Sequence, residues 1–301
     1  MRSGVRELRR QAARKGAGKV IHHLRLRSDS SGVIPAEMET PVFRSVGDIG
    51  RYNLVMHRFY IPALDRSVNR DAVIDLPPEA ARQCSRVLKL QPGEKIALFD
   101  GSGIEVTVAL EHLSGSSVRG RMIASDYPER EARRPLELVM ALSRQERWEW
   151  ALQKATELGV SAFQPIETAR CVARITYADW PRKAERWGKI IIEAAEQSGR
   201  TRLPTLAGPM SLSTLVKKGN PGIALDTAAG LPSLTALLEL QAGAWQERIL
   251  VGPEGGLEEG EIESLLENGW RSATLGPRTL RCETAALCAC ALALNDCGSL
   301  G

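Results

Sequence analysis

A chain of 301 residues is long enough for two domains of ordinary size, and 43% apolar with 25% charged residues excludes wholesale disorder. No uninterrupted apolar run reaches the ~18–20 residues that span a bilayer, and with only four histidines, His22, His23, His57 and His112, a three-histidine metal site would have to recruit the N-terminal ones. The net charge of +4 is uneven: residues 1–55 hold 11 Lys/Arg against 5 Asp/Glu, whereas residues 206–301 hold 6 against 11, so overall basicity is no sign of nucleic-acid binding.

Residues 1–55 read as a disordered extension. Arg2, Arg6, Arg9, Arg10, Arg14, Lys15 and Lys19 precede a Ser/Gly/Pro-containing stretch without periodicity. A transit peptide, a basic arm for RNA and sequence upstream of a start at Met56 all fit; the last is favoured, because regular patterning begins at Met56-His57-Arg58-Phe59-Tyr60-Ile61-Pro62. From 56 to 130 the signals are mostly β. Lys95–Asp100 runs into Gly101-Ser102-Gly103, and Ile104–Leu110 and Val118–Ile123 alternate apolar with polar around the turn at Ser114–Ser117. Short strands with Gly/Ser turns predict a small barrel. One helix is expected from Pro77-Pro78 to about Leu90, closed by Pro92-Gly93, and Glu129–Pro135 reads as a linker. Residues 136–301 alternate strand and helix. Strands are expected at Leu136–Leu142, Ile223–Asp226, Arg248–Val251 and Ser272–Leu275. Helices are expected at Arg147–Leu158, Ala184–Gln197, Leu234–Leu240, Ile262–Asn268 and from Glu283 onward. That order predicts an α/β domain with a mostly parallel sheet.

In such a sheet ligands gather beyond the carboxyl ends of the strands. Three consecutive strands end in unusual loops: Leu225-Asp226 into Thr227–Gly230, Val251 into Gly252-Pro253-Glu254-Gly255-Gly256, and Leu275 into Gly276-Pro277-Arg278-Thr279-Leu280-Arg281. Gly lets backbone approach a ligand and Pro fixes the turn. One such loop is an ordinary connection; three in succession favour a ligand cradle. No GxxxxGK[ST] occurs, and Gly101-Ser102-Gly103 lacks a third Gly at Val106, so neither a P-loop nor a dinucleotide fingerprint is supported. Six cysteines without a CxxC suit reduced, packed thiols in a cytosolic protein. The stretch 284–294 carries no charge, and a helix apolar all round needs cover on every side, from its own domain or a second subunit.

Gly252–Gly256 followed by an acidic helix, then Leu275-Gly-Pro-Arg-Thr-Leu-Arg-Cys-Glu-Thr-Ala285, resembles the 16S ribosomal RNA uracil-N3 methyltransferases, a branch of the SPOUT superfamily. His57–Tyr60, Val87–Lys89, Phe99–Gly103, Gln153–Gly159 and Glu193–Arg200 extend the resemblance over about Met56 to Asn295. It implies a PUA-like barrel for RNA over 56–130, a trefoil-knotted SPOUT domain over 136–301, a homodimer, a cytoplasmic location and S-adenosyl-L-methionine as cofactor. The cofactor would be held by Leu225, Asp226, Gly252, Glu254, Gly255, Gly256, Leu275, Gly276, Leu280 and Arg281. The substrate would be 16S rRNA or the small ribosomal subunit, methylated at N3 of a uridine.

Arg82, Arg86 and Lys89, at i, i+4 and i+7 on the expected helix, share a face, and the resemblance makes them phosphate contacts, with Arg58 in the same role. Gln197 and Arg200 would reach RNA or the partner subunit. The family typically has His at the position of Gln83 and Arg at that of Lys89. Arg281 would stabilise charge developing on the uracil carbonyl oxygens; Glu283 either accepts the N3 proton or favours the helix N-terminus. Two rivals remain: a SPOUT methyltransferase for another RNA site, and a non-catalytic RNA-binding assembly factor, against which the intact cradle sequences speak.

Overall fold

The computed structural model describes residues 56–300 apart from 63, 65–70, 116 and 241–246; the extension at 1–55 lies outside the described residues. Alternation of apolar and polar residues builds the first sheet. Strands β1 (Arg58–Tyr60), β2 (Val73–Asp75), β3 (Lys95–Phe99), β4 (Glu105–Ser114) and β5 (Ser117–Asp126) lie in the order β1-β3-β4-β5-β2. β1 runs parallel to β3 and the other pairs are antiparallel. Ile96, Leu98, Val106, Val108, Leu110, Val118 and Met122 form one buried cluster with Phe59, Ala81 and Cys84. Among the described residues no β1–β2 pairing closes the ring.

Helix α1 (Pro78–Arg82) corrects the expected continuous helix. It passes into a π-helical turn at Gln83–Val87, and Lys89 adopts a left-handed φ of 54°. A π turn holds more residues than an α turn, so the α-helical spacing that put Lys89 on one face with Arg82 and Arg86 does not apply. Arg82, Arg86 and Lys89 are nonetheless all exposed.

The second sheet uses β6 (Leu136–Ala141), β7 (Ala162–Glu167), β8 (Thr205–Leu206), β9 (Met210–Ser211), β10 (Ile223–Leu225), β11 (Glu247–Val251) and β12 (Arg271–Ala273). All its pairs are parallel, in the order β12-β10-β11-β6-β7-β8, with β9 also on β7. Its central strands are mostly apolar because helices cover both faces, and charged residues such as Glu137, Glu247 and Arg248 stand near their amino ends. Leu136, Leu138, Met140, Ile223, Ile249 and Val251 face one core, shared with helices α2 (Gln145–Leu158), α3 (Trp180–Ser198), α5 (Leu234–Leu240) and α7 (Cys282–Asp296). Val139, Ala141, Ala224 and Leu250 face the other, under α4 (Leu212–Lys217) and α6 (Glu259–Glu267). Cys282, Ala286, Ala289, Cys290, Ala293 and Leu294 turn inward from α7. Of the two expected forms of cover for α7, its own domain supplies only part: Thr284, Cys288 and Leu292 are exposed.

All six cysteines are free thiols. Burial pushes Cys84 up to about 11 and Cys290 up to about 12, which suits inert packing groups. No helix among the described residues is long and apolar enough to cross a membrane.

Charged groups join the two sheets, and three sequence expectations are corrected here. Arg58 pairs with Glu105, and its second nitrogen donates to Arg200 O at 3.1 Å. Arg130 donates to Glu105 at 2.7 Å and to Gly199 O at 2.9 Å. Arg200, 4% exposed, donates to Glu131 at 2.6 Å, Val160 O at 2.7 Å and Thr156 O at 3.0 Å. Glu196 on α3 accepts the Tyr60 N–H at 2.8 Å. Thus both Nη groups of Arg58 and the guanidinium of Arg200, expected to meet RNA, are turned to protein acceptors. Residues 129–135, expected as a linker, are part of the seam, because Arg130 and Glu131 are two of its charges.

Burial opposes ionisation of Glu105, but hydrogen bonds from Arg130 and Arg58 outweigh it and hold the carboxyl below the ordinary range. A depressed folded-state pKa gives stability present above the unfolded pKa of about 4.3 and lost as pH falls through the folded value. Glu105→Gln is therefore expected to cost about 2–3 kcal/mol at pH 7, less than a fully buried pair because Arg130 is partly solvated. Urea midpoints should show the gap from the unsubstituted chain closing in acid; a gap independent of pH contradicts the assignment.

Candidate ligand cradle at the carboxyl edge of the parallel sheet

β12, β10 and β11 are adjacent, so their carboxyl ends open onto one cavity of about 430 Å³. Leu225, Asp226 and Thr227 line it after β10, residues 251–257 after β11, and Thr274, Leu275, Gly276 and 278–281 after β12, with Cys282 and Ala285 from α7. All ten residues expected to hold a cofactor are in this lining.

Each loop is fixed locally. Asp226 N donates to Ala273 O at 2.9 Å, while its Oδ1 accepts the Thr227 and Ala228 amides at 2.7 and 3.2 Å. Gly256 N closes a turn on Pro253 O at 2.9 Å. A Cβ on Gly255 would lie 3.3 Å from Arg170 Cβ, so no larger residue fits without moving that stem. Gly276 has open space but a φ of 110°, which side-chain-bearing residues rarely adopt. Glu258 and Glu261 then form a reciprocal capping box that starts α6.

Arg278 and Arg281 are exposed at the cavity, and Arg281 is the N-cap residue of α7. Glu283 is set back from the lining; it accepts the Cys282 thiol at 3.3 Å and stands 3.8 Å from Arg147 Nε. Burial, reinforced by the Glu283 contact, pushes the Cys282 thiol up to about 11, so it is a neutral wall group and not a nucleophile. Backbone amides and carbonyls, two carboxylates and an apolar floor suit a ligand with several polar edges.

The other sequence-predicted residues lie elsewhere. Arg82, Arg86 and Lys89 are in the first sheet's layer, Arg58 and Arg200 are in the seam, and Gln197 is exposed near the end of α3. Arg147 and Arg170 were missed by reading three strand ends only. Both follow the two neighbouring strands, β6 and β7, whose carboxyl ends reach the same edge. The signal was present at Leu142-Ser143-Arg144-Gln145, a fourth strand-to-helix junction.

The sequence pattern of an RNA methyltransferase domain matches residues 130–294. The ribosomal RNA small subunit methyltransferase E of Bacillus subtilis is 30% identical over 249 residues, 77% of this chain and 93% of the relative. That of Mycobacterium bovis is 31% identical over 253 residues, 82% and 93% of the two chains. The crystal structure of the Neisseria gonorrhoeae ribosomal RNA small subunit methyltransferase E bound to S-adenosyl methionine is similar to this fold with a TM-score of 0.70, at 31% identity, covering 78% of this chain and 95% of that one.

Proposed function

The chain belongs to the ribosomal RNA small subunit methyltransferase E family, and from that premise we propose that it transfers a methyl group from S-adenosyl-L-methionine to N3 of a uridine in 16S ribosomal RNA. The observation that carries the reading is the convergence of three loops on one cavity, lined by every residue the cofactor was expected to need. The fit is supported by the site itself. Asp226 and Glu254 offer carboxylates, and Leu225, Val251 and Leu275 supply apolar surface.

S-adenosyl-L-methionine, when bound, supplies an activated methyl group on a sulfonium. The protein's own work is alignment and charge. Leu225, Asp226, Gly252, Glu254, Gly255, Gly256, Leu275, Gly276, Leu280 and Arg281 form the cofactor's walls. Arg281 presents guanidinium N–H donors to the uracil carbonyl oxygens and lowers the cost of the anion left when the N3 proton departs. The N3 proton is released to solvent. Glu283, behind the lining, serves the α7 N-terminus and anchors Arg147. Arg82, Arg86 and Lys89 contact phosphates and so position the RNA without reading its sequence; exposed Gln197 adds a polar contact.

The same reading gives 56–130 a PUA-like RNA-binding role, 136–301 the knotted SPOUT arrangement, and the whole a cytoplasmic setting. A second copy covers the exposed Cys288–Leu292 side of α7, because an uncharged helix face is poorly hydrated.

Calorimetry with S-adenosyl-L-methionine tests the cradle. Gly255→Val should lower affinity at least ~10-fold, by pushing the loop off Arg170, while melting stays cooperative; full affinity in a folded variant contradicts it. Sedimentation at micromolar concentration should show twice the 32.9 kDa chain mass, and an active monomer contradicts the second copy.

Charges divide by assay. Arg281→Ala should reduce single-turnover methylation about 100-fold at saturating RNA with RNA affinity nearly intact. Neutralising Arg82, Arg86 and Lys89 should leave that rate and flatten the salt dependence of binding by about 0.7–0.9 in log–log slope per contact. An Arg281 variant deficient only in binding, or an unaltered slope, shows the charges are misassigned.

A further inference from the structure

Arg147 has no role in the reading above except as a neighbour of Glu283, yet it lines the cavity from a different element than the three loops. It lies in the first turn of α2. The next residue, Trp148, is 2% exposed and packs 5.0 Å from the Trp187 ring, so the backbone carrying Arg147 is fixed in the core. The guanidinium then reaches two separate elements. Nη1 donates to Glu254 Oε1 at 3.1 Å, and Nε stands 3.8 Å from Glu283 Oε1.

We infer that Arg147 is a positioning residue for methyl transfer, tying Glu254 in the Gly252–Gly256 loop to Glu283 at the start of α7. The inference rests on the reading of the cavity as the cofactor site. Two carboxylates drawn to one side of a cavity repel each other, and a cation between them removes that repulsion. Arg147, Glu254 and Glu283 side chains are 31%, 22% and 12% exposed, so this is not the solvated surface pair whose contribution is usually negligible. A planar fork can serve two acceptors from one fixed stem, which an ammonium group does less well. The loop needs such a hold. Within it, Gly256 N to Pro253 O is a local turn, and from outside it Arg170 Nη1 reaches Gly255 O at 3.0 Å. Only Arg147, of these, links the loop to α7, whose N-cap is Arg281. Through that link the walls that hold the methyl donor and the residue that meets the uracil keep one spacing.

The test uses the full chain in four variants: Arg147→Met, Arg147→Lys, Glu254→Gln and the double Arg147→Met/Glu254→Gln. Arg186→Met is the control, since it breaks an ion pair of α2 that does not reach the cavity, Arg186 of α3 with Glu149. Cofactor affinity is read by calorimetry and the rate by single turnover at saturating cofactor and RNA. Arg147→Met should lose about 10-fold in each, with its melting temperature close to that of Arg186→Met, and Arg147→Lys should recover part of the loss. The double variant should lose less cofactor affinity than the product of the two single losses, because with Arg147 gone the loop is already released and only Glu254's own contact with the cofactor is left to lose. Unchanged affinity and rate in Arg147→Met, losses that multiply in the double variant, or equal losses in Arg186→Met overturn the inference. If the unsubstituted chain itself binds no S-adenosyl-L-methionine, the cavity reading fails first and this inference with it.

Discussion

Parallel strands cannot be joined by tight turns, so each must return through a crossover that begins at the same edge of the sheet. That constraint decides where this protein can hold a ligand. β10, β11 and β12 follow one another in sequence with a helix after each, and the sheet order makes them neighbours with β10 in the middle. Their connections therefore leave from one place, and the space between the departing loops is the cavity. Part of its wall is main chain, since glycine stands at 252, 255, 256 and 276. β6 and β7 extend the same edge, which is why arginines from their connections reach a loop that belongs to β11.

The second consequence is that the site depends on parts that never touch it. Trp148 and Trp187 anchor α2 against α3, and α3 in turn carries Glu196, which grips the β1 backbone. Around Glu105 and Arg200, carboxylates and guanidiniums satisfy one another and the exposed carbonyls at the end of α3. Buried charges are tolerable only when paired in this way. The seam thereby fixes the orientation of the first sheet, whose layer bears the exposed cations, against the second, which bears the cavity.

Much of this was legible in the sequence because it is periodic. Alternation located β4 and β5, and apolar runs of strand length located β3, β6, β10 and β11 to within a residue or two. The cradle was legible for a different reason: glycine and proline recur at three successive strand ends, where ordinary turns would explain one. What stayed hidden depends on contacts distant in sequence. Nothing local distinguishes Arg58 or Arg200, committed to internal acceptors, from Arg82 or Arg86, which face solvent. β8 and β9, of two residues each, are too short to show a period. The π turn at Gln83–Val87 leaves no compositional mark, so a helix read through it carried Lys89 to the wrong place. Arg147 escaped because its importance lies in two carboxylates more than a hundred residues away.

The account stands on one chemical event, the arrival of a methyl group on a particular atom of RNA. The direct measurement is to incubate the protein with isotopically labelled S-adenosyl-L-methionine and 16S ribosomal RNA or small subunits lacking the modification, digest the RNA to nucleosides, and identify the labelled one by mass spectrometry and chromatography. The account predicts label in N3-methyluridine alone. Label on a ribose oxygen, on another base or on another uridine atom, or no transfer by a chain that binds the cofactor, would contradict it.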